Sequence, residues 1–465
     1  MVVPVGGERH RPASRRLAAF GGKLRTRLAA GAVLVGVVAI AATIAAVGDN
    51  ASSGATPQRP LTIGALFSLT GGGNVYGTQQ VKAAELAVSQ INQQGGVNGV
   101  PLKLIVRDDH SDPAVGKSAM RKLIQGSGVI AVLGPSLSLV AVAADPVADS
   151  LKTPVLAVSN TADGIVGKCA YPCTYVWRDS LGESLAVPAN ITAYVQEAHP
   201  SRVAIVFVGG DVLGIDEAKI ATASFKQNRV KISGQIAVPS SGSVVAGVKR
   251  ALKTKPDVIF IGATFGQVAA DVMKEARAEG FTGAFLGGNT MNSSSTTQLA
   301  GTAGTGARSA SAWYAGNDFP ANTDFKTAYN QVYGEAPDQF AAQSYIGVQI
   351  LASAFGKNKN IAAKPVATQR QLLQGLLPRV ALTTPLGPFR FTPDHDVSQI
   401  IWILAMDGKV RHSRLIRLSV GNAIQERNPA GPVHVFQRSG HMCAQLNRSG
   451  NGNLLLLPGD LEYIG

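Results

Sequence analysis

LTIGALFSLTGGGNVYGTQQVKAAELAVSQINQQGGVNGVPLKLIVRDD, residues Leu61–Asp109, is the stretch whose reading decides the fold. The apolar run Leu61–Phe67 reads as a strand and the Gly-rich segment Ser68–Gly77 as a loop. Val81, Ala84, Val88 and Ile91 then recur at i, i+3, i+7 and i+10, one apolar face of a helix. A Gly/Asn turn leads into a second apolar run, Leu102–Val106. Strand, helix, strand is one β-α-β unit. In parallel α/β sheets small ligands bind beyond the carboxyl ends of the strands. Ser68–Gly77, with Tyr76 among its glycines, is therefore a natural ligand loop.

The alternation continues outward. Apolar runs recur at Val129–Leu133, Pro154–Val158, Val203–Val208, Val258–Ile261 and Gly283–Leu286, with helix-period segments between most of them. Asp271–Gly280 is one such segment, with Gly280 at its end. Helical material returns at Phe325–Phe355 and strand material at Pro388–Phe391 and Ile400–Met406. Short apolar strands alternating with helices predict parallel sheets covered on both faces. Two sets of repeats are visible. The expected division is a first lobe of residues 60–179 plus 316–380 and a second of residues 180–315 plus 381–410.

The two ends read differently. Formal net charge is +14 over 465 residues, but residues 1–59 hold eight Lys or Arg against two acids. After Arg27 comes Leu28–Val47, twenty uncharged residues, predominantly apolar. A basic flank followed by an apolar run is the pattern of an export segment. At about 1.5 Å per residue it is also long enough to span a bilayer. It reads equally as an uncleaved anchor or as a signal cleaved near Gly48. In both cases the bulk of the chain is exported and extracytoplasmic. Asp49–Pro60 is rich in Ala, Ser, Gly, Thr and Pro and reads as a linker. Arg411–Gly465 has no Lys and no periodicity, and is expected to be an irregular tail. With 45% apolar residues, most of the chain can bury a core. No basic helix is interleaved with aromatics, so nucleic acid is not an expected partner. Cys169 and Cys173, four apart, are expected to form a disulfide in an exported chain, leaving Cys443 over.

The strings SLTGGGNVYG, LAVSQINQQGGVNG, LIVRDDHSDPAVG, VIAVLGPSLS, TPVLAVSNTADG, KPDVIFIGA, ARAEGFTGAFLGG and LGPFRF…DGK together resemble the type I periplasmic binding proteins of the branched-chain amino acid (Leu/Ile/Val) family. That family supplies the substrate-binding components of ABC importers. The resemblance spans roughly residues 60–410. It implies an α/β fold of two doubly wound parallel-sheet lobes joined by three hinge crossovers, with a solute held between them. It further implies no catalysis, no cofactor, an ABC permease complex in the membrane as partner, and a monomer. A membrane-anchored sensor signalling to a membrane partner is the alternative use of the same fold.

The resemblance places ligand positions residue by residue. Gly134–Ser138 matches the turn whose serine meets a substrate carboxylate, here Ser138. Ser159, Asn160 and Thr161 match a second anion-contacting loop, and Tyr76 the first-loop aromatic. Hydroxyls beside a helix N-terminus suit an anion. Read from the residues alone, Ser138, Ser159 and Thr161 serve as well as plain N-caps. The second lobe departs from the pattern. Leu213 stands where a tyrosine is common, and Asn289 where an acid meets the substrate ammonium. A buried ammonium without a carboxylate is costly. Either Asp211 supplies the charge, or the solute is a carboxylate, amide or urea-like molecule. Thr264 and Phe265 complete that wall. Ser111 stands where the family often has a cysteine.

Enzyme motifs are missing. Gly116-Lys117-Ser118 lacks the glycine five residues upstream that a phosphate-binding loop requires. No G-x-S-x-G or H-E-x-x-H occurs. His110 and His395 both neighbour Asp in turn-like segments.

Overall fold

The computed structural model describes residues 59–406 throughout and, beyond them, only the backbone of short strands. The Leu28–Val47 segment, the linker up to Gln58 and the side chain of Cys443 lie outside the described residues.

The first sheet is built from β1 (Leu61–Phe67), β2 (Leu102–Asp108), β3 (Ala131–Leu133), β4 (Val155–Ala157) and β5 (Val176–Arg178). Its order is β2-β1-β3-β4-β5, parallel throughout. Three helices connect these strands: α1 (Asn74–Gln93), α2 (Pro113–Gly126) and α3 (Ser138–Ser150). β1 is buried along nearly its whole length because helices cover both faces of the sheet, hence its unbroken apolar sequence. α2 starts where it does because the Asp112 carboxylate accepts from the Ala114 and Val115 amides and Pro113 fits the first turn. Lys117 of the rejected phosphate-loop motif lies exposed on that helix.

The chain then crosses to the second sheet. α4 (Glu183–Ala198), β6 (Arg202–Val208), α5 (Val212–Gln227), β7 (Lys231–Val238), α6 (Val245–Lys253), β8 (Val258–Gly262), α7 (Gly266–Ala278) and β9 (Ala284–Gly287) follow in turn. A 3-10 turn, Asn289–Asn292, α8 (Ser294–Ala300), a second 3-10 turn, Gly301–Gly304, and β10 (Arg308–Ser311) complete this part. A second crossing leads to α9 (Pro320–Tyr333) and α10 (Gln339–Gly356), which cover the first sheet, and then to α11 (Val366–Leu376). The helical stretch expected over Phe325–Phe355 is thus two helices, broken at Gly334, whose φ of +68° ends α9 in the left-handed region.

A small antiparallel sheet follows: β11 (Ala381–Thr384), β12 (Gly387–Phe391) and β13 (Val397–Ser398). The sequence division put residues 381–410 with the second lobe. Instead these three strands pack on the end of the first sheet. The Phe391 ring meets Trp177 of β5 at 4.8 Å, His395 stacks on Trp177 at 3.7 Å, and Arg178 pairs with Asp396. Burial of Phe389 and Val397 against the first lobe's core is the reason. Only β14 (Ile400–Ala405) returns, antiparallel to β10, giving a second sheet ordered β15-β14-β10-β9-β8-β6-β7, where β15 is Ile416–Arg417. Within the stretch expected to be an irregular tail, the described backbone forms short strands, among them Ile424–Glu426, His434–Phe436, Met442–Gln445 and Leu461–Ile464.

In each sheet the first strand is flanked on both sides, β1 by β2 and β3, and β6 by β7 and β8. The carboxyl end of such a strand is where a doubly wound sheet opens a crevice.

Candidate functional site

The two crevices face each other and are shut. Between them lies a narrow cleft, closed down to about 10 Å³, lined by Tyr76, Ser136, Leu137, Ser138, Ser159, Leu213, Thr264, Asn289, Thr290 and Phe340. Six of the nine ligand positions expected from the sequence therefore line it. Asn160, Thr161 and Asp211 do not.

On the first-lobe side, hydroxyls and one amide form a closed network. The Ser68 amide donates to Ser136 Oγ at 3.0 Å, and Ser136 Oγ donates to Gln80 Oε1 at 2.5 Å. Gln80 Nε2 donates to Ser159 Oγ at 2.6 Å, which donates to the Ser136 carbonyl at 2.6 Å. Ser138 Oγ, at the start of α3, accepts from the Thr161 and Ala162 amides at 3.2 and 3.3 Å. Asn160 lies beneath this floor with its Nδ2 on the Pro135 carbonyl at 2.8 Å. Thr161 Oγ1 turns away and donates to Glu183 Oε1 at 2.8 Å. Tyr76 is not in the loop but in the first turn of α1.

On the second-lobe side, Asp211 is the N-cap of α5. Its oxygens accept from the Gly214 amide at 3.3 Å, the Thr264 amide at 2.7 Å and Thr264 Oγ1 at 2.6 Å. Two of these three donors belong to Thr264, just beyond the end of β8, so Asp211 ties the start of α5 to the neighbouring strand end and shapes the wall. Asn289 sits in the 3-10 turn after β9, its Nδ2 donating across the cleft to the Ser159 carbonyl at 3.2 Å. Tyr76 Oη also crosses, donating to the Thr264 carbonyl at 2.9 Å and accepting from the Gly266 amide at 3.2 Å. Burial pushes the Tyr76 phenol well up, so it stays a neutral donor. Leu213 and Phe265 pack into the first lobe's apolar cluster beside Tyr76 and Leu137.

Behind this wall are two carboxyl groups that sequence reasoning missed. Glu183 opens α4 and Glu217 lies on α5, both fully buried. Glu183 Oε1 accepts from Thr161 Oγ1 and, at 3.1 Å, from the Asn289 amide. Glu217 Oε2 accepts from the Ala263 amide at 3.0 Å. A side chain on Gly288 would begin 1.9 Å from Glu217 Oε1 and 2.8 Å from Glu183 Oε2, so the two remaining oxygens face one point. Burial pushes the Glu183 carboxyl up to about 7, and burial with the neighbouring Glu183 charge raises Glu217 well above its ordinary value. An acid in the first turn of an apolar helix was the only visible signal for Glu183. Phe340 and Thr290, also missed, carried none.

Cys169 and Cys173 form a disulfide with Cα atoms 6.2 Å apart. Among the described residues no group of three or more His, Cys, Asp or Glu is placed to hold a metal ion. His110 and His395 both lie at turn positions with positive φ.

Residues 60–410 match the family described as "Periplasmic binding protein". A stretch of 103 residues is 41% identical to the Leu/Ile/Val-binding protein BraC3 of Rhizobium johnstonii, covering 22% of this chain and 27% of that protein. A Leu/Ile/Val-binding protein homolog of Brucella melitensis is 40% identical over 105 residues, 22% of this chain and 27% of the relative. The matched stretches thus span about a quarter of these relatives' length. Among solved structures, the branched-chain amino acid transporter substrate-binding protein LivJ of Streptococcus pneumoniae, in complex with isoleucine, superposes with a TM-score of 0.69 at 23% identity, covering 77% of this chain and all of that one. A solute-binding protein of an ABC transporter from R. palustris, in complex with benzoate, gives 0.67 at 21% identity, over 77% of this chain and 95% of the other. At these identities the superpositions establish the fold.

Proposed function

The chain belongs to the periplasmic binding protein family, and on that premise we propose that it is a receptor capturing a small polar or anionic solute between its lobes for delivery to an ABC importer. Such a chain is exported and works outside the cytoplasm. It acts as a monomer, by binding and release, with no bond made or broken in the solute. One observation carries this reading: the carboxyl ends of two doubly wound sheets meet over a polar cleft, joined directly by Tyr76 and Asn289. Side-chain bonds between the rims are what a hinged pair of lobes forms on closing.

The candidate solutes are amino acids, amides, urea and short carboxylates. Ser138 Oγ–H at the start of α3 suits an anionic end. Tyr76, Leu137, Leu213 and Phe340 supply apolar contact. The fold accepts acids with an ammonium, as in the isoleucine complex, and without one, as in the benzoate complex. Ser159, Asn160, Thr161, Thr264 and Asp211 hold the two rims in shape. Thermal-shift screening against these four classes tests the reading. A solute at 100 times its Kd raises stability by about 2.7 kcal/mol. Absence of any shift across all four, or chemical conversion of a bound compound, overturns it.

A further inference from the structure

Asn289 can donate or accept, and the residues around it decide which end faces the cleft. Gln339, the first residue of α10, touches the second crossing between the lobes. Its Oε1 accepts from the Ala312 amide at 2.8 Å and from Ser311 Oγ. A backbone N–H can only donate, so the oxygen of Gln339 must point there. That leaves Gln339 Nε2 toward Asn289, whose Oδ1 accepts from it at 2.6 Å. Asn289 Nδ2 is then the end directed across the cleft, at 3.2 Å from the Ser159 carbonyl. Ser311, Gln339 and Asn289 are all buried, so solvent does not relax this polarity.

We propose that Gln339 is a positioning residue that locks Asn289 as a hydrogen-bond donor, so that the second-lobe side of the cleft selects a solute group that accepts, a ketone, amide carbonyl or carboxylate, over an ammonium. The inference rests on the reading of the cleft as a solute site. An ammonium has three donors and no acceptor, and would meet the Asn289 NH2 donor to donor. Glu183 does not rescue it. One of its oxygens accepts from the Asn289 amide and Thr161 Oγ1, and the other faces the Gly288–Glu217 side.

Leucine and 4-methyl-2-oxopentanoate form a matched probe pair, an ammonium replaced by a ketone on the same skeleton. Calorimetry on the wild-type protein is expected to show the 2-oxo acid bound at least about tenfold more tightly. Gln339→Glu keeps an acceptor for the Ala312 amide and presents a second acceptor to Asn289, which turns its amide over. The preference is expected to shift toward leucine by about tenfold or more. Asn289→Asp reaches the same end by another route and serves where Gln339→Glu does not fold. Ser311→Ala, which leaves the Ala312 donor in place, is expected to keep the wild-type preference. A ligand-free readout runs beside these: the Asn289 side-chain amide signals in a 15N–1H spectrum shift in Gln339→Glu. If they stay in place, or if wild type prefers leucine, the inference is overturned. If they shift and neither acid binds at millimolar concentration, the positioning role stands and the solute reading falls.

Discussion

Tyr76-Gly77 and Leu213-Gly214 are the same device built twice. Each dipeptide lies in the first turn of the helix that follows the first strand of its sheet. In each, the glycine lets the helix start press against strand-end backbone. A Cβ on Gly77 would lie 2.1 Å from the Ser68 carbonyl oxygen, and one on Gly214 2.9 Å from that of Gly262. The preceding side chain is thereby aimed at the cleft. There the likeness ends: Tyr76 brings a phenol that bonds across to the other lobe, whereas Leu213 brings apolar surface alone. The topology fixes where a cleft residue stands, and the residue type at that spot decides what it can recognise.

The largest expected effect tests the device itself. Gly77→Ala forces a methyl into backbone that cannot yield, and is expected to cost about 3 kcal/mol. Gly214→Ala, with more clearance, is expected to cost about 1–2 kcal/mol. Urea unfolding of the two variants checks the order. Equal losses would mean that the two helix starts are not held by the same contact.

The lobes differ again behind the cleft, where the second one carries Glu183 and Glu217. A carboxyl raised from 4.5 to about 7 in the folded state favours folding fully below its unfolded value, and loses that contribution as pH rises through 7. Glu217 shifts in the same direction. Asp216 and Arg178 face Glu183, the first raising and the second lowering its carboxyl, while Asp211 and Asp216 raise Glu217. Wild-type stability is therefore expected to fall by about 2–3 kcal/mol between pH 5 and 8. Glu217→Gln keeps an acceptor for the Ala263 amide and gives Glu183 a donor. It is expected to flatten that slope and to raise stability at pH 8 by about 1–2 kcal/mol. Denaturant titrations at three pH values decide it. An unchanged slope would remove the carboxyl pair as its source.

The sequence carried the alternation of the first sheet well, because β1, β3 and β4 are buried on both faces and so read as unbroken apolar runs. β7 escaped because its edge position leaves exposed residues among buried ones. β10, Arg-Ser-Ala-Ser, escaped because its buried positions are filled by small residues, two of them serines. The placement of β11–β13 was illegible for another reason. Nothing in Gly387–Phe391 says that Phe391 packs on Trp177, with the whole second lobe between them in sequence. In the cleft, the family resemblance pointed to Ser138 and Asn289, but hydrogen-bond direction did not follow from it. That Thr161 turns to Glu183 and Asp211 to Thr264 depends on neighbours brought in by the fold.

The smallest expected effect goes to the phenol that distinguishes the two helix starts. Tyr76→Phe keeps the ring, whose centre lies 4.6 Å from that of Phe340, and removes only the oxygen. The Thr264 carbonyl still accepts from Thr290 Oγ1 at 3.2 Å, but the Gly266 amide loses its partner. Two bonds across the cleft disappear, at a cost to the closed form of about 1 kcal/mol. Because both bonds join the lobes, the loss falls on closure rather than on either lobe's fold. The unfolding midpoint is expected to move little, while small-angle X-ray scattering of the ligand-free variant shows a larger radius of gyration than wild type. Leu213→Phe, which changes the same position of the other lobe without touching a hydrogen bond, is the control. If Tyr76→Phe leaves the radius unchanged, the phenol is packing material like Leu213, and the asymmetry between the two helix starts carries no weight in closing the cleft.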